Sequence, residues 1–180
     1  MDMVRKVEVV PYRQEWPFQF EVEAKTLREV FGDQVLSIHH FGSTSVPGIC
    51  AKPIIDILLI VRDIDAVFAL VPTLEKLGYL FKGEYGIPGR SFFIKGTEDV
   101  RSHHLHVYQI NNPHILRHLA FRDYLRTHPD LAEQYGALKE SLARQFPEDI
   151  DCYNEGKSDF IKEQERQALK WWAEQNGSPD

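Results

Sequence analysis

Three features of this chain stand where they could do chemistry. One is a carboxylate inside an apolar run, one a pair of imidazoles two residues apart, and one a glycine-serine corner that precedes both. Asp56 is the lone acid in "KPIIDILLIV". A carboxylate in a buried strand costs several kcal/mol unless it is paired, metal-bound or at the strand's exposed end, so Asp56 requires a partner. In "SHHLHV" a strand would turn His104 and His106 to one face and His103 and Leu105 to the other. Such a pair either ligates a metal or is an ordinary hydrogen-bonded pair. In "FGSTSVPG", Gly42, Ser43 and Thr44 offer backbone N–H groups and small hydroxyls that let phosphate oxygens approach the main chain, although the same residues also make plain connecting turns. Lys52, held extended by Pro53, and Arg90 and Lys95 on "RSFFIKG" bring cations near these positions in sequence. Each is singly a solvated surface charge. Together with the corner and the acid they fit a polyphosphate with a divalent ion.

The elements that must position these groups are legible from periodicity. Pro17 suits the first turn of a helix whose apolar positions Phe20, Ala24, Leu27 and Phe31 recur at helical spacing, with Gly32 as the stop. "VLSIHHF" predicts a strand, and the β-branched "IIDILLIV" a central strand covered on both faces. The segment from Asp63 to Gly78 predicts one helix bent at Pro72. "YLFKGEY", "RSFFIKG" and "HHLHVYQI" predict an antiparallel meander added to the first two strands. From Pro113 onward the pattern is helical, with breaks at Pro129 and Pro147, a last helix over Tyr153 to Trp172, and "NGSPD" as a frayed tail. Strands first and helices last imply an α+β fold: residues 1–112 as the core and 113–180 as a helical cap packed on it as one compact unit.

Composition narrows the function classes. A chain of 180 residues buries a sizeable core without disulfides. Its two cysteines, Cys50 and Cys152, have no metal-site spacing. With 21 Lys and Arg against 27 Asp and Glu the net charge is -6, which argues against broad capture of nucleic acid but leaves room for a small basic pocket. The N-terminal residues lack a signal-peptide core and no run reaches the length of a membrane span, so the expectation is a cytoplasmic protein without a membrane partner.

The blocks "HHFGSTSVPGICAKPIIDILLIV", "RSFFIKG", "HHLHVY", "FRDYLRTHP", "YGALK" and "YNEGKSDFI", in that order from about Tyr12 to Ala168, resemble the GrpB family. That family is similar to a branch of the nucleotidyltransferase superfamily. The resemblance implies a mixed sheet, nucleotide phosphates bound at Gly42 and Ser43, and a bridging metal on Asp56. Catalytic members of the superfamily pair that acid with another two residues earlier, and here the position holds Ile54. His104 and His106 are the nominated stand-ins, because their strand lies in the meander expected to pair near that of Asp56. The ion is then Mg or Mn, or Zn, since two imidazoles suit the softer metals. A metal-free use is also open, with one imidazole on a phosphate oxygen or acting as a general base. In the helical half, Arg122 and the i, i+4 pairs Tyr135/Lys139 and Tyr153/Lys157 are expected cap contacts to a ligand. Two functions follow as expectations: nucleotidyl or phosphoryl transfer from a nucleoside triphosphate to an unknown acceptor, or a non-catalytic module that binds a nucleotide or coenzyme A precursor, like the domain joined to some dephospho-coenzyme A kinases.

Overall fold

In the computed structural model, which describes residues 5–177, contacts divide the chain into two compact units. One comprises Arg13–Phe41 and Ile54–Ile115; the other comprises the N-terminal segment to Tyr12, Gly42–Pro53 and the chain from Leu116 onward. The frayed tail expected beyond Gly177 lies outside the described residues.

The first unit is built on a five-stranded sheet of β1 (Val35–Phe41), β2 (Ile55–Val61), β3 (Tyr79–Phe81), β4 (Arg90–Gly96) and β5 (Arg101–Gln109), in the order β1-β2-β5-β4-β3. The sheet is mixed and the class α+β, as the pattern predicts. The meander β3-β4-β5 forms, but it joins the first two strands through a parallel pairing of β5 with β2. Paired at both edges, β2 is the strand most removed from water, and Ile57, Leu58 and Leu59 are fully buried. Helix α1 (Trp16–Phe31) lays Phe20, Ala24, Leu27 and Phe31 into the core beside β1 and β2. Each large apolar side chain so buried contributes about 1.5–3 kcal/mol. Gly32, at φ 53, ends the helix while its N–H bonds the Arg28 carbonyl.

The single bent helix expected over residues 63–78 is replaced by a 3₁₀ segment, Ile64–Leu70, followed by the short helix α2 (Val71–Lys76). Pro72 has no N–H to continue an α ladder and its ring crowds the preceding turn, so it is tolerated only in the first turn of a new helix. Strand β3 is also shorter than "YLFKGEY": the chain leaves the sheet after Phe81 into a loop in which Gly83, Gly86 and Gly89 all take positive φ.

The second unit gathers α3 (Pro113–Thr127), α4 (Pro129–Gln145) and α5 (Ile150–Asn176), the last extending several residues past both predicted ends. Asp149 caps α5 by accepting from the Cys152 N–H at 3.0 Å. One cluster packs Val46 and Ile49 with Leu125, Ala132 and Tyr135; another packs Val7 with Leu142 and Tyr153. Among the described residues, no helix is long and apolar enough to cross a membrane.

Candidate functional site

Parallel pairing sets Asp56 of β2 beside His104 of β5, and Leu58 beside His106. Because side chains alternate along each strand, Asp56, His104 and His106 share one face of the sheet. His106 Nε2 lies 3.3 Å and His104 Nδ1 3.5 Å from the same carboxylate oxygen, Asp56 Oδ1. The imidazoles thus supply the partners that a charge in β2 requires. The Phe92 ring presses against both, with centroids 5.3 and 5.0 Å from His104 and His106, and Phe41 meets His106 edge-on at 4.8 Å. Burial alone would raise the Asp56 pKa, but the hydrogen bonds from His104 and His106 outweigh it and hold the carboxyl far below the usual range. Burial pushes the His106 pKa down, and Arg90 adds to this against the pull of Asp56, so His106 is neutral at neutral pH.

Behind each imidazole stands an arginine. Arg90, buried at the start of β4, places Nη1 3.1 Å from His106 Nδ1 while Nε and Nη2 donate to the carbonyls of Glu84 and Tyr85 at 3.1 and 2.8 Å. Its guanidinium lies 4.5 Å over the Phe92 ring. Tyr85, held at φ 49, stacks on Phe92 with centroids 5.2 Å apart. Arg101, at the bulged end of β5, places Nη1 3.4 Å from His104 Nε2 and donates from Nε to the Glu98 carbonyl at 3.0 Å.

Lys95 does not join this group. It opposes His103, whose face is the other side of the sheet, and its ammonium sits 2.8 Å from Glu23 Oε1. Tyr79 donates to the same oxygen, and His103 Nε2 is 3.9 Å from the other. Burial would raise the Glu23 pKa, but Lys95 and Tyr79 override it and keep the carboxylate ionised. His40 is a packed neighbour, stacked on Phe20 at 5.0 Å.

The remaining predicted residues lie in the second unit. Gly42, at φ 72, opens a 3₁₀ turn over Ser43–Ser45 in which the Ser45 N–H bonds the Gly42 carbonyl and the Val46 N–H that of Ser43. Thr44 is buried. Arg126 of α3 donates to the Ser45 carbonyl at 2.9 Å and pins the turn. Lys52 and Lys157 approach the Tyr153 ring at 5.3 and 4.8 Å, and the buried Lys139 lies 4.6 Å over Tyr135. The lysines and tyrosines predicted as cap contacts therefore meet one another, while Arg122 of α3 pairs with its neighbour Asp123. Arg101 and Arg126 escape a reading of the sequence. Arg101 is an odd number of residues from His104, which strand alternation places on the opposite face, and nothing in "FRDYLRT" marks Arg126 over Arg122.

The sequence matches the GrpB protein family over residues 6–167. It is 48% identical over 167 residues to the UPF0157 protein YqkA of Bacillus subtilis, covering 93% of this chain but 48% of that protein, so the chain spans about half the length of that relative. A dephospho-CoA kinase of Mycolicibacterium paratuberculosis is 29% identical over 92% of this chain and 46% of its own length. Among solved structures, the conserved protein GrpB from Enterococcus faecalis superposes with a TM-score of 0.88 at 46% identity, covering 92% of this chain and 99% of that one. Cid1 in complex with its short product ApU superposes with a TM-score of 0.51 at 14% identity, covering 74% of this chain and 42% of Cid1, a likeness of fold alone. The mixed sheet and its flanking helices are thus a fold shared with Cid1.

Proposed function

The chain belongs to the GrpB family, and from that membership and the surroundings of Asp56 we propose that it binds a nucleoside triphosphate and transfers a nucleotidyl or phosphoryl group to an acceptor. One observation carries the reading. An ionised carboxylate stands in the interior strand β2, with His104 and His106 approaching its Oδ1 at 3.5 and 3.3 Å. A carboxylate so oriented fits a hard divalent ion, Mg or Mn, which completes its shell with phosphate oxygens and water. Asp56 would hold that ion, whose chemistry is to neutralise phosphate charge. Within the other unit, Gly42 and Ser43 are proposed as residues that bind phosphate through main-chain N–H groups, and Lys52, Lys139 and Lys157 as proposed phosphate-binding cations. In nucleotidyl transfer an acceptor hydroxyl oxygen bonds to the α-phosphorus as its proton passes to water, the bond to the bridging oxygen breaks, and pyrophosphate leaves. Arg90 takes a positioning part, because its guanidinium is buried against His106 and two loop carbonyls.

A second reading, a non-catalytic module for a nucleotide or coenzyme A precursor, is favoured by the similarity to a dephospho-CoA kinase and by Ile54 standing where a second acid would be. Calorimetric titration separates the two. Wild type and Asp56→Asn are titrated with ATP, GTP, CTP, UTP and dephospho-coenzyme A, each with Mg, Mn or chelator. Metal-dependent nucleotide binding that is lost in the variant supports transfer. Metal-independent binding, or binding of dephospho-coenzyme A alone, favours the module.

A further inference from the structure

We infer that His104 and His106 are positioning residues, N–H donors that fix Asp56 Oδ1, each locked in its donating tautomer by the arginine behind it, and that neither ligates a metal. The inference rests on the reading of Asp56 as the site's working carboxylate and deepens it.

A guanidinium only donates hydrogen bonds, whereas a neutral imidazole has one N–H and one lone pair. Arg90 Nη1 lies 3.1 Å from His106 Nδ1, so the lone pair of that ring is on Nδ1 and its proton is on Nε2, the nitrogen facing Asp56. Arg101 Nη1 lies 3.4 Å from His104 Nε2, and in the neutral ring that contact sets the reverse tautomer, with the proton on Nδ1, again facing Asp56. Two rings approach one oxygen with opposite edges, and each tautomer is the one that donates to it.

Ligation would reverse this arrangement. A ring that gave a metal the lone pair of its Asp56-facing nitrogen would carry its proton on the far nitrogen, donor against guanidinium donor. The partner behind a metal-bound imidazole is ordinarily an acceptor, a carboxylate or carbonyl. Neither arginine is at liberty to withdraw easily, since Arg90 is tied to the Glu84 and Tyr85 carbonyls and Arg101 to that of Glu98. The two guanidiniums also set positive charge behind both rings. What remains for an ion is the Asp56 carboxylate, which suits Mg or Mn and gives Zn none of the nitrogen ligands it prefers. The Zn option implied by two imidazoles and an acid is therefore disfavoured by the residues behind them.

The test is long-range ¹⁵N–¹H correlation on the uniformly labelled full chain at neutral pH, with and without equimolar Zn. The expected spectrum shows His106 protonated at Nε2 and His104 at Nδ1, with no change on adding Zn. The reverse tautomer on either ring, or a Zn-induced shift of the Asp56-facing nitrogens, overturns the inference. A second measurement uses amides that reproduce one nitrogen each. His106→Gln and His104→Asn keep a donor where the proton is assigned, and are expected to retain more Mg–nucleotide affinity than the misplacing pair. His106→Asn and His104→Gln misplace it and are expected to weaken that affinity about tenfold. Equal loss in all four variants overturns the inference. If no nucleotide binds, the transfer reading fails while the tautomer spectrum still decides this one.

Discussion

Arg90→Met removes the group that joins His106 to the glycine-rich loop, and its cost follows from the three acceptors it leaves behind. The Glu84 and Tyr85 carbonyls belong to exposed or half-exposed residues that can turn to water, so each lost bond costs about 0.5–1.5 kcal/mol. His106 Nδ1 is in a ring that is 8% exposed, and leaving it unsatisfied costs about 1–3 kcal/mol. Tyr85 loses the clamp on its left-handed backbone, and with it the stacking on Phe92, worth about 0.5–1.5 kcal/mol. Relief of guanidinium desolvation offsets part of the total, giving a net destabilisation of about 2–4 kcal/mol. Urea unfolding reads this as a lower midpoint at an unchanged slope. Arg90→Lys recovers little, because one ammonium cannot reach three acceptors lying in different directions. A midpoint for Arg90→Met equal to that of wild type, with the His106 tautomer intact, would refute the reasoning.

Three further outcomes test the fold around the site. Gly96 turns the β4–β5 hairpin at φ 117, and a Cβ there would collide with the Val100 carbonyl oxygen; Gly96→Ala should destabilise by about 2 kcal/mol or more in urea unfolding and loosen Arg101 from His104. Gly156 lets α5 approach α4 so closely that a Cβ would lie 2.5 Å from Leu142 Cδ2, so Gly156→Ala should lower the thermal midpoint despite a gain in helix propensity of about 1 kcal/mol. Stability should fall with acidification: the His106 pKa lies below its unfolded value, so the unfolded chain takes up that proton first as pH drops through about 6.5. Asp56, depressed in the fold, adds a second loss as pH falls through about 4 and below. Urea midpoints measured across this range check both, and a midpoint independent of pH contradicts the neutral, buried assignment of His106.

Much of the site could be read from residue types and periods of two. "IIDILLIV" announced a central strand, and the even spacing of His104 and His106 put both imidazoles on one face; the structure sets both against Asp56. Grouping Arg90 with Lys95 at one phosphate site overlooks the same alternation: five residues apart on one strand, they face opposite sides, and one backs His106 while the other pairs with Glu23. What could not be read depends on long-range pairing. That β5 lies parallel to β2, rather than continuing an antiparallel meander, is decided by the path of the chain between them, which no local pattern encodes. Arg101 reaches His104 from the bulged end of β5, where alternation no longer predicts direction.

The parallel pairing also explains why a single acid is tolerable in β2. A lone carboxylate there would be expelled or protonated, yet Asp56 is surrounded by two N–H donors whose own far nitrogens are satisfied by arginines. Asp56→Asn keeps a carbonyl oxygen to accept from the imidazoles, so it should destabilise less than Asp56→Ala, while the charge offered to an ion is gone. Asp56→Ala leaves both imidazole N–H groups without that acceptor and should destabilise by about 2 kcal/mol or more. Comparing the two variants in the same unfolding and metal–nucleotide titrations separates the carboxylate's part in the fold from its part in binding. If Asp56→Asn loses stability as Asp56→Ala does, the charge itself holds the sheet together. If it folds normally and no longer binds, the network of Arg90, His106, His104 and Arg101 serves to present that charge.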